Sequence, residues 1–267
     1  MECYNVWQWK IYSSCGHIYY TAHSNDGANW TVNTKTFIGY SSGRALVYGN
    51  GKFVVVGTDN QTAVYGGAHM STNGEVWTGP ITTLGGRLLG ITYGNGKFVA
   101  VGEYGTSVSS VDGITWTYSS IPDTDGVGNS QQYFYGIAYG NGKFIAVGGG
   151  KRYSTSSDGK AWSTKIMLSD GKWPILRAIT YANGRFVVVG DEGFIAYSTD
   201  GESWVKVTVP NSKWLAISYN NGKFVAVGNN GYVTTSIDGE NWTTPEQIKD
   251  ESGKVVTVQL NGVCVMP

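Results

Sequence analysis

Apolar residues in this chain fall in short unbroken runs rather than in helical stripes. "KFVAV" at Lys97–Val101 is apolar at four positions in succession, and near-copies follow Tyr48, Tyr139, Tyr181 and Tyr219. A run of that length without alternation predicts a strand buried on both faces. Before each run stands a strand ending at the tyrosine, as in "LGITY", and then a Gly-Asn-Gly or similar stretch. Such residues tolerate positive φ and predict a tight hairpin. A third strand follows, as in "YVTTS", and then a turn and a fourth strand.

The turn has its own signature, Ser-x-Asp/Asn-Gly-x-x-Trp, starting at Ser24, Ser71, Ser110, Ser156, Ser198 and Ser236. The six copies are 47, 39, 46, 42 and 38 residues apart, which are propeller or solenoid periods. Within each, the Ser and Asp side chains are suited to hold the turn's own amides and the Gly relieves its steric cost. The Trp is a large apolar surface to bury at a seam between units. The expected fold is all-β: a six-bladed β-propeller of four-stranded antiparallel blades. Five blades run across residues 44–244. The sixth is assembled from both ends, residues 17–35 giving two outer strands and 255–267 the inner pair, with 1–14 as an N-terminal extension. In that register Asn261 and Gly262 stand where Asn95 and Gly96 do. A competing register uses Val6–Tyr12 as the second strand.

Composition narrows the function. Nineteen basic and nineteen acidic residues give zero formal charge, with no basic run, so nucleic acid is not an expected partner. Ten Trp and eighteen Tyr speak against disorder. No stretch of roughly 18 apolar residues is present, so membrane insertion is not expected. The start, "MECYNVWQWK", lacks the basic and apolar regions of a secretion signal. Synthesis in a cytosol is the expectation, with association with a virion or release by lysis compatible with it. Cys3, Cys15 and Cys264 form no disulfide framework, and His17, His23 and His69 have no metal-ligand spacing. No cofactor or metal is expected.

The six boxes resemble the Asp-box repeats of sialidase-like β-propellers, and the "Y-x-N-G-K/R-F-x-x-V-G" strands are similar to those of bacterial and phage repeat propellers. A more distant likeness is to the photosystem II assembly factor propeller. Here Gly directly follows Asp, one residue earlier than in the usual box. The sialidase resemblance implies three arginines on a substrate carboxylate, a Tyr–Glu nucleophile pair and an acidic proton donor. Arg44, Arg87, Arg177, Tyr135, Glu103 and Asp191 supply those residue types. The blades are minimal, however, and the Arg-bearing motif of that family near its first strand is missing.

Hairpins and boxes repeat almost unchanged, whereas the connections at the other end of the strands differ from blade to blade. That asymmetry places recognition on the variable face. Four residues before each repeat tyrosine stand Arg44, Leu89, Tyr135, Arg177 and Leu215, and Arg87 lies two residues before Leu89. These arginines, with Tyr135, Trp173 and Trp214 and the turn residues Glu103, Tyr104 and Asp191, form the candidate ligand site at the channel mouth. Two roles are open to the arginines: pairing with a carboxylate from the next blade, or holding an anion or sugar. The expected function is a non-catalytic binding module that recognises a cell-surface glycan. The alternatives are a protein scaffold or assembly factor and, third, a sialidase-type hydrolase. Membership of a larger particle or a homo-oligomer is compatible with all three.

Overall fold

The computed structural model describes residues 21–23, 31–33, 43–58, 65–78, 81–123, 132–168, 170–210 and 213–263. Val6–Tyr12, Asp59, Asn60 and most of the 122–133 connection lie outside the described residues. The chain is all-β. A two-stranded antiparallel ribbon, β1 (Thr21–His23) and β2 (Thr31–Asn33), comes first. Five four-stranded antiparallel sheets follow. They are β3–β6 (Gly43–Gly49, Lys52–Thr58, Tyr65–Ser71, Ile81–Gly86), β7–β10 (Leu88–Gly94, Lys97–Gly102, Thr106–Ser110, Thr117–Ser120) and β11–β14 (Phe134–Gly140, Lys143–Gly148, Arg152–Ser156, Ser163–Ile166). The last two are β15–β18 (Leu176–Ala182, Arg185–Gly190, Phe194–Ser198, Val205–Thr208) and β19–β22 (Trp214–Asn220, Lys223–Gly228, Tyr232–Ser236, Glu246–Gln247). Each sheet is a meander, each strand pairing with the next in sequence. Among the described residues the only helical turns are two of three residues each, at Gly149–Lys151 and Asn229–Gly231.

The core lies between sheets. One apolar cluster joins Val54, Val56 and Met70 of the β3–β6 sheet to Leu88, Ile91 and Phe98 of the next. Equivalent clusters join β7–β10 to β11–β14, β11–β14 to β15–β18, and β15–β18 to β19–β22. The second strands are buried on both faces for this reason; β8, β12 and β16 are buried at every position after the first. Sheets stacked face to face in chain order, with first strands adjacent, make a β-propeller, and each sheet is a blade.

Hairpins and boxes share one face. In the first, Asn95 and Gly96 both adopt positive φ, 47° and 73°, so a two-residue loop suffices. In the boxes Asp112 Oδ1 accepts bonds from the amides of Ile114 (2.8 Å) and Thr115 (2.7 Å) and from Ser110 Oγ (2.8 Å), while Gly113 N donates to Ser110 Oγ. These donors hold the Asp112 carboxyl well below the usual carboxylate range. The Trp reaches the seam: Trp162 Nε1 donates to Ser107 Oγ of the preceding blade at 3.1 Å, and Trp204 meets the edge of Tyr153 at 5.7 Å.

Two further contacts tie blade to blade there. The basic residue after each hairpin donates to the carbonyl of the box Asp in the following blade: Lys52 to Asp112 (2.8 Å), Lys97 to Asp158 (3.1 Å), Lys143 to Asp200 (2.9 Å) and Arg185 to Asp238. The repeat tyrosine packs on its own Phe, with centroids 4.7 Å apart for Tyr139 and Phe144, and against the glycine after the preceding blade's tyrosine. A Cβ on Gly94 would stand 2.1 Å from Tyr139 Cγ.

The inner strand pair expected from 255–267 is not formed within the described part of that stretch. Residues 256–260 instead bond to the last blade: Val256 N donates to Ile248 O (2.9 Å), Gly231 N to Val258 O (2.7 Å) and Leu260 N to Gly228 O (3.0 Å). The unpaired backbone groups at the end of the β19–β22 blade are satisfied in this way.

Candidate functional site

At the face opposite the boxes, every inner strand carries a β-bulge. The register slips between Gly43 and Ala45, Leu88 and Gly90, Phe134 and Gly136, Leu176 and Ala178, and Trp214 and Ala216. The extra residues are Arg44, Leu89, Tyr135, Arg177 and Leu215. A bulge breaks strict alternation and re-aims its side chain. None of these five is buried, although the residue before each, apart from Gly43, is. The residue after each bulge is Gly or Ala, because there the inner strands of neighbouring blades come close. A Cβ on Gly90 would stand 3.0 Å from Tyr135 O, and one on Gly136 3.1 Å from Ala178 Cα.

The bulges of β11 and β15, with the adjoining turns, build one continuous row. Tyr104, in the turn after β8, lies 5.9 Å from Tyr133 between ring centroids, and Tyr133 lies 6.2 Å from Tyr135 with rings only 14° from parallel. The Arg177 guanidinium sits over the Tyr135 ring at 5.2 Å. Arg177 Nε and Nη2 donate to Asp191 Oδ1 (2.9 Å) and Oδ2 (2.8 Å), a two-pronged pair. Asp191 raises the Arg177 pKa further above its ordinary value. Burial pushes the phenols of Tyr133 and Tyr135 up, Arg177 opposing this at Tyr135, so both remain neutral hydrogen-bond donors near neutral pH. At the other end Glu103, nearly buried, bridges to Tyr133 through the backbone, and its Oε2 lies 3.5 Å from Arg87 Nε. That separation is too long for a good hydrogen bond, and Arg87 Nε has no other acceptor.

Arg87, Glu103, Tyr104, Tyr135, Arg177 and Asp191 are therefore brought to one face. Three expectations change. Trp214 is fully buried, because it fills the inner-strand slot occupied by Leu88, Phe134 and Leu176 in the other blades, before the bulge rather than on it. Arg87 and Arg177 pair with carboxylates of their own blade, not the next, because the start of each inner strand faces the turn that follows its own second strand. And Arg44 is exposed and pairs with no carboxylate among the described residues. Trp173 is exposed but stands apart from the row, over Lys151, whose Nζ lies 5.8 Å from its ring. Lys151 is itself buried and held by Asp170, which also binds Lys206 at 3.0 Å. Tyr133 was not singled out from the sequence, although strand alternation from Tyr135 pointed to it.

The chain is thus a β-propeller of antiparallel four-stranded blades, with its most elaborate side-chain constellation beside the inner-strand bulges. A family profile described as the DUF6242 beta propeller domain matches residues 147–255. No curated protein matches the sequence. Among solved structures, YCF48 bound to D1 peptide is similar, at 18% identity and TM-score 0.62, over 85% of this chain and 74% of that one. The RRP9 WD40 repeats match at 11% identity and TM-score 0.63, over 83% and 69%. The computationally designed Ika8 protein matches at 12% identity and TM-score 0.61, over 95% and 76%. These likenesses are of fold.

Proposed function

We propose that the protein is a non-catalytic recognition module that holds a polypeptide segment of a partner at the row running from Tyr104 to Asp191. The observation that carries this reading is the continuity of the row across three blades: ring, ring, ring, then a neutralised ion pair. Tyrosine supplies large contact area at little entropic cost, and a rigid scaffold keeps it preorganised. A pocket for an anionic sugar has less support, because Arg177 is committed to Asp191 and Arg87 lies beside Glu103. A three-arginine carboxylate site of the sialidase kind has less support for the same reason, two of its three arginines lying against carboxylates. A neutral glycan is the second reading, favoured by the exposed ring of Tyr104 and the half-buried rings beside it. A polypeptide partner is also in keeping with the propeller relative named above, which is bound to a peptide.

Six blades are part of the same proposal. Gly105 N donates to Gln132 O, Lys151 N to Pro174 O, and Gly231 N to Val258 O, at equivalent stations of their blades. Two residues beyond Gln132 and Pro174 stand Phe134 and Leu176, each the first residue of the next inner strand. Leu260 holds the same place. The chain would enter a sixth inner strand there, with Gly262 aligned on Gly136, and the other strands of that blade would come from the N-terminal side, including the box from Ser24.

Arrays of synthetic peptides and of neutral and sialylated oligosaccharides, probed with wild type and Tyr135→Ala, test the function. Retention on peptides that the variant loses, at equal melting temperature, is the expected result. Hydrolysis of a fluorogenic sialoside, or binders indifferent to Tyr135, would overturn it.

A further inference from the structure

The spacing and chemistry of the row narrow the class of segment it fits. The strip is uncharged in sum, because Glu103 and Asp191 offset Arg87 and Arg177. Salt-steered capture of a charged tail is therefore not what it offers. Its ring centroids advance in two steps, 5.9 Å and 6.2 Å. An extended polyproline II chain rises about 3.1 Å per residue, so two residues cover roughly 6 Å. Such a chain presents carbonyls with no intramolecular partner and, where proline recurs, few N–H groups. It needs donors and flat apolar faces. The row supplies a phenol donor at Tyr135 and one more from the Tyr104–Tyr133 pair, whose hydroxyls bond to each other, and Arg177 uses two of its roughly five guanidinium N–H bonds on Asp191.

A second observation is independent of spacing. Tyr104 has φ of 57°, in the left-handed region, where a bulky residue is costly. The equivalent positions of the other described blades are Gly150, Asn230 and Glu192; the first two readily accept this conformation, while Glu192 shares the strain but not the aromatic ring. Tyr104 is 41% exposed, so burial does not explain its retention. A strained, exposed aromatic at the end of an aromatic row is a sign of function rather than of folding.

From these we infer that the row binds an uncharged, proline-rich segment in the polyproline II conformation, two residues per tyrosine step, running from Tyr104 towards Arg177. This rests on the recognition reading above and names its ligand class. It matches the general mode in which aromatic-lined grooves receive preformed, low-entropy proline helices.

Fluorescence anisotropy of labelled decaproline with the full chain tests it, beside a Gly-Ser decapeptide and labelled maltohexaose. Decaproline alone is expected to bind, with little dependence on salt, and Tyr135→Ala is expected to weaken it roughly tenfold or more. Tyr104→Asn is expected to weaken binding and also to raise the melting temperature, since it relieves the left-handed strain. A merely structural tyrosine would not give that opposite pair. Maltohexaose or the Gly-Ser peptide binding in a Tyr135-dependent way while decaproline fails would overturn the proline-rich assignment and leave the recognition reading standing. Failure of all three probes would overturn this assignment, while a Tyr135-dependent ligand from the arrays would still uphold the broader one. Decaproline binding unchanged by Tyr135→Ala would overturn both for this site.

Discussion

A single carboxylate shows how the boxes work. Asp200 Oδ1 accepts bonds from the amides of Glu202 (2.7 Å) and Ser203 (2.8 Å) and from Ser198 Oγ (2.8 Å). The charged form is favoured, and its pKa falls far below the ordinary carboxyl value. A group depressed in the folded state stabilises fully above the unfolded pKa, about 4, and that contribution drains away as pH falls towards the folded value. Asp112 and Asp238 behave alike, so melting temperature is expected to drop on acidification below about pH 4. Asp200→Ala is expected to cost about 1–2 kcal/mol at pH 7 by stranding turn amides, read by thermal melting. The loss should shrink below pH 4, where the wild type is losing the same bonds. The Ser, Asp and Gly of the described boxes were legible as a self-sufficient turn because the partners of their side chains lie within a few residues. Trp214 was not legible as buried by residue type. Comparison with Leu88, Phe134 and Leu176 in the same column marks its slot as large and apolar in every described blade but the one that holds Gly43.

Among elements, the hairpins and second strands were read correctly because their causes are local: positive φ at Asn-Gly, and unbroken apolar runs. The bulges were not legible. A register slip changes which way Arg177 or Tyr135 points without changing composition, and alternation reasoning passes straight over it. The seam contacts of the hairpins left a trace that went unused, since a basic residue recurs at Lys52, Lys97, Lys143, Arg185 and Lys223. Their acceptors are backbone carbonyls, which no sequence pattern marks. The tyrosine-on-glycine contact belongs to this scale too. Gly94→Ala would drive a methyl group into the Tyr139 ring of the next blade, with about 1–3 kcal/mol lost to strain, measured by denaturant unfolding. Gly96→Ala, where a Cβ meets nothing within 4 Å, is expected to show only the smaller cost of a side chain at positive φ.

For the molecule as a whole, the repeat announced a propeller, but how its ends meet was ambiguous. Both candidate registers used only the pattern of apolar letters, and "VVTVQLNGVCV" satisfies that pattern in more than one way. The bonds from Gly228, Gly231 and Ile248 hold residues 256–260 against the last blade, and on them rests the proposal above that a strand begins at Leu260. Ending the chain at Asp250 removes every one of those partners and uncovers the last blade. The expected result is loss of a single cooperative melt or a drop of many degrees, rather than the small change usual for a trimmed terminus. A truncated chain that melts like the full one would refute that closure.

The seam cations carry one more implication. Lys52, Lys97, Lys143 and Arg185 each reach forward to a peptide oxygen of the next box, and the last two also meet Glu202 and Glu240. This one joint reads the backbone of the succeeding box, while the apolar clusters and the Trp and Tyr contacts of the same seam read its side chains. A joint made to the backbone is one that a duplicated blade would keep, provided the apolar seam is kept with it. The joint lies at the box end of the strands, so substitutions in the turns at the opposite end leave it untouched.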